Sequence, residues 1–285
     1  MAGSGASAGL GLCSAAFWGG SDFAGGWGSR RAPALLLVTS GQILSLAFLL
    51  VLCAALHVPA PDAHYSILAI VGGFEGALSL AIFYRALAMG AMGLTAALSG
   101  LLTALIPVLF SFLYDGLPAP VNIAGLATGC AAIWFITHQG QAPASNQRPG
   151  TSGKALLLGT LSGIGFGFQL VLLKMAASGG VLWSLTWTRI AGVGALVLAL
   201  AIMRTRAHIK AFLPIGAFAG ALDTVGNLFY VLAARAGRLD IAAMVSSLFP
   251  AVTILLAAIL LRERPSRRQM AGIGLALAAV MMLSA

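Results

Sequence analysis

Residues 138–154, HQGQAPASNQRPGTSGK, form the longest polar stretch of an otherwise apolar chain. On each side, the sequence runs in apolar segments of about 20 residues, the length that a helix needs to cross a bilayer. Five such segments precede the polar stretch and five follow it within the 285 residues. The position of this loop therefore predicts two halves of five helices each.

The apolar segments are separated mostly by charges and prolines. Arg30 and Arg31 follow the first segment, and residues 262–268 separate the ninth from the tenth. The weakest boundary lies near residues 90–93, where no charge interrupts the sequence. The predicted spans are 4–27, 33–57, 65–88, 93–114, 120–138, 153–176, 181–203, 210–234, 240–262 and 268–284.

The composition independently indicates a membrane protein. Hydrophobic residues make up 60% of the chain and charged residues only 8%, whereas a soluble domain is about 25% charged. The 36 glycines suit a membrane bundle, in which small residues let helices approach closely. The net charge of +9 does not indicate nucleic-acid binding, because the cations flank the apolar segments as they usually do beside membrane spans.

The sequence lacks the residues that several other protein classes require. Cys13, Cys53 and Cys130 have no CxxC spacing and are expected to be buried free thiols. The histidines fall at loops without metal-ligand spacing, and no HExxH or GxxxxGKS motif occurs. We therefore predict no enzyme activity, metal or cofactor. The first residues carry no Lys or Arg, so the first segment is interpreted as a retained helix and not a signal peptide.

The two halves carry similar patterns. The dipeptide Phe-Tyr occurs at 83–84 and again at 229–230, an offset of 146 residues. A proline-bearing segment follows each, with Pro107 in the first half and Pro250 in the second. Because five is odd, the second half must enter the membrane from the opposite side. This parity predicts an inverted repeat with a substrate site near the midplane, a common design of secondary transporters.

The predicted fold is an all-α polytopic membrane protein of ten transmembrane helices in two inverted five-helix repeats. Residues 1–138 form the first repeat, 139–152 a polar linker and 153–285 the second repeat. Twelve of the 16 Lys and Arg residues lie at loops and helix ends on one side of this topology. The positive-inside rule then places both termini outside the cell.

Several motifs together resemble the drug/metabolite transporter superfamily, specifically its ten-helix EamA-type members. They are Ala16-Phe17-Trp18-Gly19, Arg189, Phe229-Tyr230 with Ala233-Ala234, the run from Ala242 to Pro250, Leu260-Leu261-Arg262-Glu263-Arg264, and Gly272. Overall length and appearance are similar to the YddG-like amino-acid exporters. The first half departs from the pattern, because Pro107 lies closer to Asp115 than Pro250 does to Glu263.

This resemblance implies two inverted repeats around a central cavity. It also implies export of amino acids and related metabolites across a bacterial inner membrane. Many members are expected to keep both termini inside, which conflicts with the charge count. The implied partners are a small-molecule substrate and the lipid bilayer, with the protein acting as a monomer.

Three charges lie deep in predicted spans, where polar groups are costly and usually functional. They are Glu75 in the third span, Asp223 in the eighth and Arg189 in the seventh. An acid would bind the ammonium of an amino acid, and Arg189 would bind its carboxylate through a bidentate pair. In the alternative interpretation, these charges pair with each other and hold the bundle together. Asp22 lies near a span end and is expected at the interface.

Polar residues also recur on single helix faces. Asp223, Asn227 and Tyr230 are spaced i, i+4 and i+7, and Glu75 and Ser79 are spaced i and i+4. These stripes predict either a cavity lining or interhelical hydrogen bonds.

The two prolines add further candidates. Pro107 and Pro250 free the backbone carbonyls of Thr103 and Ser246, which predicts helix hinges or static kinks satisfied by nearby hydroxyls. The remaining cavity candidates are Ser99, Trp18 and Tyr84. Trp18 would stack on a substrate or anchor the membrane interface.

Together these observations predict a secondary transporter that exports small metabolites, with amino acids favoured, by rocking of two halves around a central cavity. A lipophilic-cation exporter would need an unpaired acid in an aromatic cage and no arginine nearby. A membrane enzyme on lipid-linked substrates would need clustered acids, histidines or a metal site. A scaffold would need a fully packed centre. The substrate, direction and coupling ion stay open.

Overall fold

The computed structural model describes residues 2–29, 33–88, 92–137, 151–203, 213–262 and 265–284. Within these ranges the chain forms eleven α-helices and a short 3-10 turn at Ala177–Gly179, with no strand. The helices are α1 (Ala2–Ser29), α2 (Ala34–Ala55), α3 (Ala63–Ala88), α4 (Met92–Asp115), α5 (Pro120–Thr137), α6 (Thr151–Ala176), α7 (Val181–Ile202), α8 (Leu213–Ala236), α9 (Leu239–Ser246), α10 (Phe249–Leu260) and α11 (Arg267–Ser284).

Eight segments in the described ranges are long and apolar enough to cross a membrane. They are α2 to α8, together with Leu239–Leu260, which joins α9 and α10 into one span. The first and last helices, α1 and α11, fall outside this set, so the count of ten spans stays a prediction. Both belong to the bundle, because α1 packs along α8 and α11 packs along α5.

The outer surface of the bundle is strongly apolar. Phe48, Val51 and Ile202 expose 60%, 67% and 73% of their surface. A soluble protein rarely carries such contiguous apolar surface, whereas lipid tolerates it. The exterior therefore fits a multi-pass membrane protein.

The two predicted proline hinges differ in structure. Helix α4 continues through Pro107, whereas the ninth predicted span is divided into α9 and α10 by a turn. At this turn the Ser247 amide donates to the Ala243 carbonyl at 2.9 Å, and the Leu248 amide donates to the Val245 carbonyl at 3.2 Å. Pro250 lies in the first turn of α10, where its missing N–H costs no helical hydrogen bond.

Helices from the two sequence halves interleave. Helix α1 packs along α8, α3 along α6, and α5 along α11, whereas consecutive helices within a half touch much less. Two four-helix groups result, one of α1, α2, α8 and α9–α10, and one of α3, α4, α6 and α7. They meet mainly where α2 contacts α7 and α4 contacts α9. The predicted halves are thus not separate bodies in space. Of the predicted linker 139–152, residues 139–150 lie outside the described residues, and Thr151 and Ser152 begin α6.

Close helix contacts recur at a constant offset of 147 residues. Gly73 in α3 lies against the backbone of Thr188 in α7, and Gly220 in α8 lies against the backbone of Gly41 in α2. Thr188 lies 147 residues after Gly41, and Gly220 lies 147 residues after Gly73, so each residue of one contact has an equivalent in the other contact. The contacts therefore relate the halves with an offset one residue longer than the Phe-Tyr motif indicates.

The same offset holds between α5 and α11. Gly125 packs against Leu283, and Gly272 packs against Ile136. Adding 147 to the positions of Gly125 and Ile136 gives Gly272 and Leu283, so the two contacts are equivalent. Because both glycines lack a side chain, α5 and α11 can approach closely.

We predict that Gly220→Ala destabilises the protein by about 1–3 kcal/mol. A Cβ atom at this position would lie 2.5 Å from the Gly41 carbonyl oxygen, so α2 and α8 would have to separate. The matched control is Gly194→Ala, where the new Cβ would meet no heavy atom within 4 Å. This control should be neutral or stabilising by up to about 1 kcal/mol, the helix propensity gain. Unfolding in detergent measures both, and equal stabilities would contradict the close α2–α8 contact.

Candidate functional site

An ion pair joins α7 to α8 inside the bundle. The Arg189 guanidinium contacts the Asp223 carboxylate, and their side chains are 8% and 33% exposed. Arg189 also donates to the Gln42 amide oxygen in α2 at 2.7 Å. The structure thus brings two of the three predicted charges together, and Arg189 connects three helices.

The close approach of α2 and α8 positions this network. The glycine contact between Gly41 and Gly220 lies one residue before Gln42 and three residues before Asp223. Because backbones touch at the glycines, the side chains of Gln42 and Asp223 reach the same guanidinium from two helices. A larger residue at either glycine would move these acceptors apart.

The polar stripe of α8 divides into different roles. The Asn227 amide donates to the Asp223 backbone carbonyl at 2.7 Å. The Tyr230 hydroxyl donates to the Leu170 carbonyl in α6 at 2.9 Å, and Tyr230 is fully buried. Only Asp223 of these three lines a cavity described in the structure. Tyr230 makes the interhelical bond of the alternative, whereas the Asn227 bond stays within α8.

A cavity of about 180 Å³ lies between α1, α2 and α8. Its volume corresponds to several water molecules. The polar part of the lining consists of Ser21, Asp22, Gln42, Ser45 and Asp223. The other lining residues are glycines and aliphatic residues, so no aromatic side chain borders this cavity.

Asp22 is the charged cavity residue that sequence reasoning missed, together with the neutral polar residues Ser21, Gln42 and Ser45. It was expected at the interface because it lies near the end of a predicted span, yet it shares the cavity with Asp223. Its side chain is exposed there, and it has no hydrogen bond or ion pair with any described residue. Its equivalent at the offset of 147 is Gln169, which packs against Gly76, the equivalent of Asp223. This offset comes from the helix contacts, so the sequence alone gave no signal for Asp22.

Glu75 and Ser79 face a different neighbour. Ser79 is 4% exposed and lies against Gly165 of α6, with Glu75 beside the same glycine. Glu75 is half-buried and has no hydrogen bond or ion pair with a described residue, and it does not line the cavity that Asp223 lines. The two predicted acids therefore occupy different four-helix groups.

The hydroxyl candidates near the prolines are mostly packed between helices. Ser99 and Ser162 share a hydrogen bond of 3.2 Å, and Thr103 donates to the Ser99 carbonyl at 2.8 Å. Ser246 is fully buried at the end of α9, and its hydroxyl has no partner among the described residues. This group holds α4 and α6 together and lies outside the described cavity.

The aromatic candidate Trp18 is packed inside the first group. Its ring stacks on Tyr230 at a centroid distance of 5.7 Å and meets Phe249 edge-on at 6.2 Å. It therefore holds α1 against α8 and α10 and does not anchor a membrane interface. The side chain of Tyr84 lies outside the described residues.

The structure describes no metal site. Within the described ranges, no three His, Cys, Asp or Glu residues are grouped to hold a metal ion. Of the three thiols expected to be buried, Cys53 is buried, Cys130 is half-buried and Cys13 is exposed. An apolar thiol is tolerated on a helix face that meets lipid, which explains the difference at Cys13.

We predict that Arg189→Gln lowers the free energy of unfolding by about 3–5 kcal/mol, because it leaves Asp223 without its counter-charge. The double variant Arg189→Gln/Asp223→Asn should recover much of this loss, since neither charge remains. Unfolding in detergent of both single variants and the double variant measures the coupling. Additive losses would contradict an energetically important pair.

Comparison with known proteins agrees with this architecture. Residues 153–285 match the model of the EamA-like transporter family. The fold is similar to that of a protein of known crystal structure, with a TM-score of 0.77 and 16% sequence identity over 97% of this chain and 95% of the other. At this identity the likeness shows the fold alone, and no curated protein matches the sequence. The second half of the chain, from α6 to α11, is thus similar to the EamA-like transporter family.

Proposed function

We propose that this protein is a secondary transporter that exports small polar metabolites, with amino acids favoured, across a bacterial inner membrane. The observation that carries the proposal is the polar cavity between α1, α2 and α8, which holds two carboxylates inside an apolar bundle. Charged groups at such depth are costly and are retained where they serve a pathway. A transporter family match over residues 153–285 supports the same conclusion.

An inverted repeat of two five-span halves is part of this proposal. Its support is the 147-residue offset of equivalent contacts, with α9 and α10 counted as one span. Gln42 and Arg189 are also 147 residues apart, and they bond to each other. A residue contacts its own equivalent only close to a two-fold axis. The Gln42–Arg189 bond therefore supports an axis beside the cavity, where transporters of this design bind substrate.

The interleaved packing favours one kind of movement. Rocking the two sequence halves as separate bodies would break the long contacts of α1 with α8 and α3 with α6. Sliding of the two four-helix groups would change the smaller contacts of α2 with α7 and α4 with α9, and it would move Arg189 relative to Asp223 and Gln42. We therefore assign alternating access to the two groups. Because the sequence has no nucleotide-binding motif, a solute or ion gradient would supply the energy.

The ion pair offers a route for binding an amino acid. The substrate carboxylate would replace Asp223 on Arg189, and the released Asp223 would accept the substrate ammonium. Every charge keeps a partner during this exchange, which avoids an isolated charge inside the bundle. Asp223 is the more exposed partner, at 33% against 8% for Arg189, so it is the group that a substrate reaches.

The structure favours this function over export of lipophilic cations. Such a substrate would need an aromatic cage around an acid. The cavity lining contains no aromatic residue, and Trp18 packs on Tyr230 and Phe249. Arg189 also lies beside the cavity acid Asp223.

We predict that purified protein in liposomes takes up labelled amino acids faster than empty liposomes, tested with and without a pH gradient. Asp223→Asn should lower the uptake rate by about tenfold or more, the effect of roughly 1.4 kcal/mol of lost substrate interaction. Glu75→Gln tests the second predicted acid and should also lower uptake. The matched control is Asp62→Asn, which changes an exposed loop acid and should leave uptake unchanged.

Uptake equal to that of empty liposomes for all amino acids would remove this substrate class. Normal rates in both Asp223→Asn and Glu75→Gln would show that neither acid binds the ammonium.

A further inference from the structure

Arg238 joins the two four-helix groups at one end of the bundle. It lies between α8 and α9, in the group that contains these helices. Its guanidinium donates to the backbone carbonyls of Asp115 at 3.1 Å and Gly116 at 2.7 Å, at the end of α4 in the other group. The last carbonyls of a helix lack intrahelical partners and carry partial negative charge. A cation that bonds them therefore holds α4 against the start of α9.

The guanidinium is held in place by its own group. Arg238 donates from Nε and one terminal nitrogen to the Asp240 carboxylate at 3.0 to 3.2 Å. Asp240 is fully buried and also accepts the Ile241 amide at 2.8 Å. Because a guanidinium is a rigid planar fork, its bonds to Asp240 also orient the N–H groups that reach α4. If α4 moved away, Arg238 would keep its counter-charge, and only the exposed bonds to the two carbonyls would be replaced by water.

Arg235 makes a second contact of the same kind. It lies in the last turn of α8 and donates to the Ala177 carbonyl, directly after α6, at 3.4 Å. Both arginines at the junction of α8 and α9 thus bond helix-end carbonyls of the other group. The offset of 147 relates Arg235 and Arg238 to Ala88 and Ala91, whose side chains have no group that donates a hydrogen bond. The sequence therefore places this pair of arginines in one half alone.

The cavity lies toward the opposite end of the bundle. At the Arg238 end, α1 begins beside the end of α8, where Gly3 lies against the Ala236 carbonyl. At the opposite end, α1 finishes beside the start of α8, where Gly28 lies against Ile215. The cavity residues of α1, α2 and α8 lie between the midpoints of these helices and the opposite end, within 21–25, 37–45 and 216–223.

We propose that Arg238 is a latch that keeps the Arg238 end of the protein closed while the cavity lies toward the opposite end. The latch consists of Arg238, Asp240 and the carbonyls of Asp115 and Gly116. The inference rests on the proposed transport function and deepens it, because alternating access requires that the Arg238 end also opens. Movement of the two groups changes the contact of α4 with α9, so the bonds from Arg238 to α4 must break in every cycle.

The test measures the distance across the latch in the full-length protein in lipid nanodiscs. Spin labels are attached to Leu117→Cys, just after α4, and Ala236→Cys, at the end of α8, where both native side chains are exposed. The native cysteines at 13, 53 and 130 are first replaced by alanine. Electron paramagnetic resonance then gives the distribution of distances between the labels.

The double variant Arg238→Gln/Asp240→Asn removes the latch and leaves no buried carboxylate unpaired. A minor conformation is commonly populated at about 0.1–10%, and loss of the two charge-assisted bonds should raise the ratio of open to closed protein by about tenfold or more. A longer distance should therefore appear or strengthen in this variant. The matched control is Arg268→Gln, an exposed arginine at the start of α11, which should keep the wild-type distribution.

Arg238→Lys provides a second variant that keeps a positive charge beside Asp240. A lysine lacks the fork that bonds the carboxylate and both carbonyls together, so it should shift the distances in the same direction. It tests the latch even where the double variant does not fold. A lower melting temperature with unchanged distances in the Arg238 variants would show a contact that only stabilises the fold, and it would overturn the latch.

A cross-link separates the latch from the transport function. A short bismaleimide with a disulfide in its spacer, joined to the two cysteines, should stop amino-acid uptake into liposomes, and reduction of the spacer should restore it. Uptake that continues in the cross-linked protein overturns the latch and leaves transport intact. Longer distances in the Arg238 variants, in a protein that moves no solute even without the cross-link, support the latch and overturn the transport proposal.

Discussion

The Arg189–Asp223 ion pair is the interaction on which the centre of this bundle depends. A guanidinium cannot remain unpaired in an apolar interior, so α7 must lie where acceptors from α8 and α2 reach it. Asp223 and Gln42 are those acceptors. The glycine contact between α2 and α8 lets both reach one guanidinium. A single charge therefore fixes the relative positions of three helices and forms one wall of the cavity.

The interleaving of the halves follows from how membrane helices associate. Lipid supplies no hydrophobic force between apolar helices, so close backbone approach at small residues determines the neighbours. Gly73, Gly125, Gly220 and Gly272 all lie at contacts between the first and the second half. Helices of one half therefore pack more against helices of the other half than against each other. Each of the two four-helix groups contains helices from both halves.

Sequence reasoning predicted the helices well and the site only in part. The apolar segments end within a few residues of the observed helices, because hydropathy and charge act locally along the chain. The pairing of Arg189 with Asp223 was one of two open alternatives, since neither depth nor spacing shows which helices become neighbours. Asp22 was expected at the interface, because distance from a span end does not reveal which helices enclose a cavity together. Pro107 and Pro250 have the same local chemistry. Helix α4 nevertheless continues through Pro107, whereas a turn interrupts the helix just before Pro250. A proline in the sequence alone therefore does not show whether the helix is interrupted.

The difference between the halves has a physical reason. Acids at positions 169 and 76, the equivalents of Asp22 and Asp223, would add two carboxylates next to Glu75 in α3. Mutual repulsion and desolvation would make that arrangement very unfavourable. Replacing one acid pair by Gln169 and Gly76 removes this cost and fills the second space with a neutral amide. In the inverted repeat that we propose, equivalent positions face opposite sides of the membrane, so the single acid pair would give the two sides different electrostatic environments.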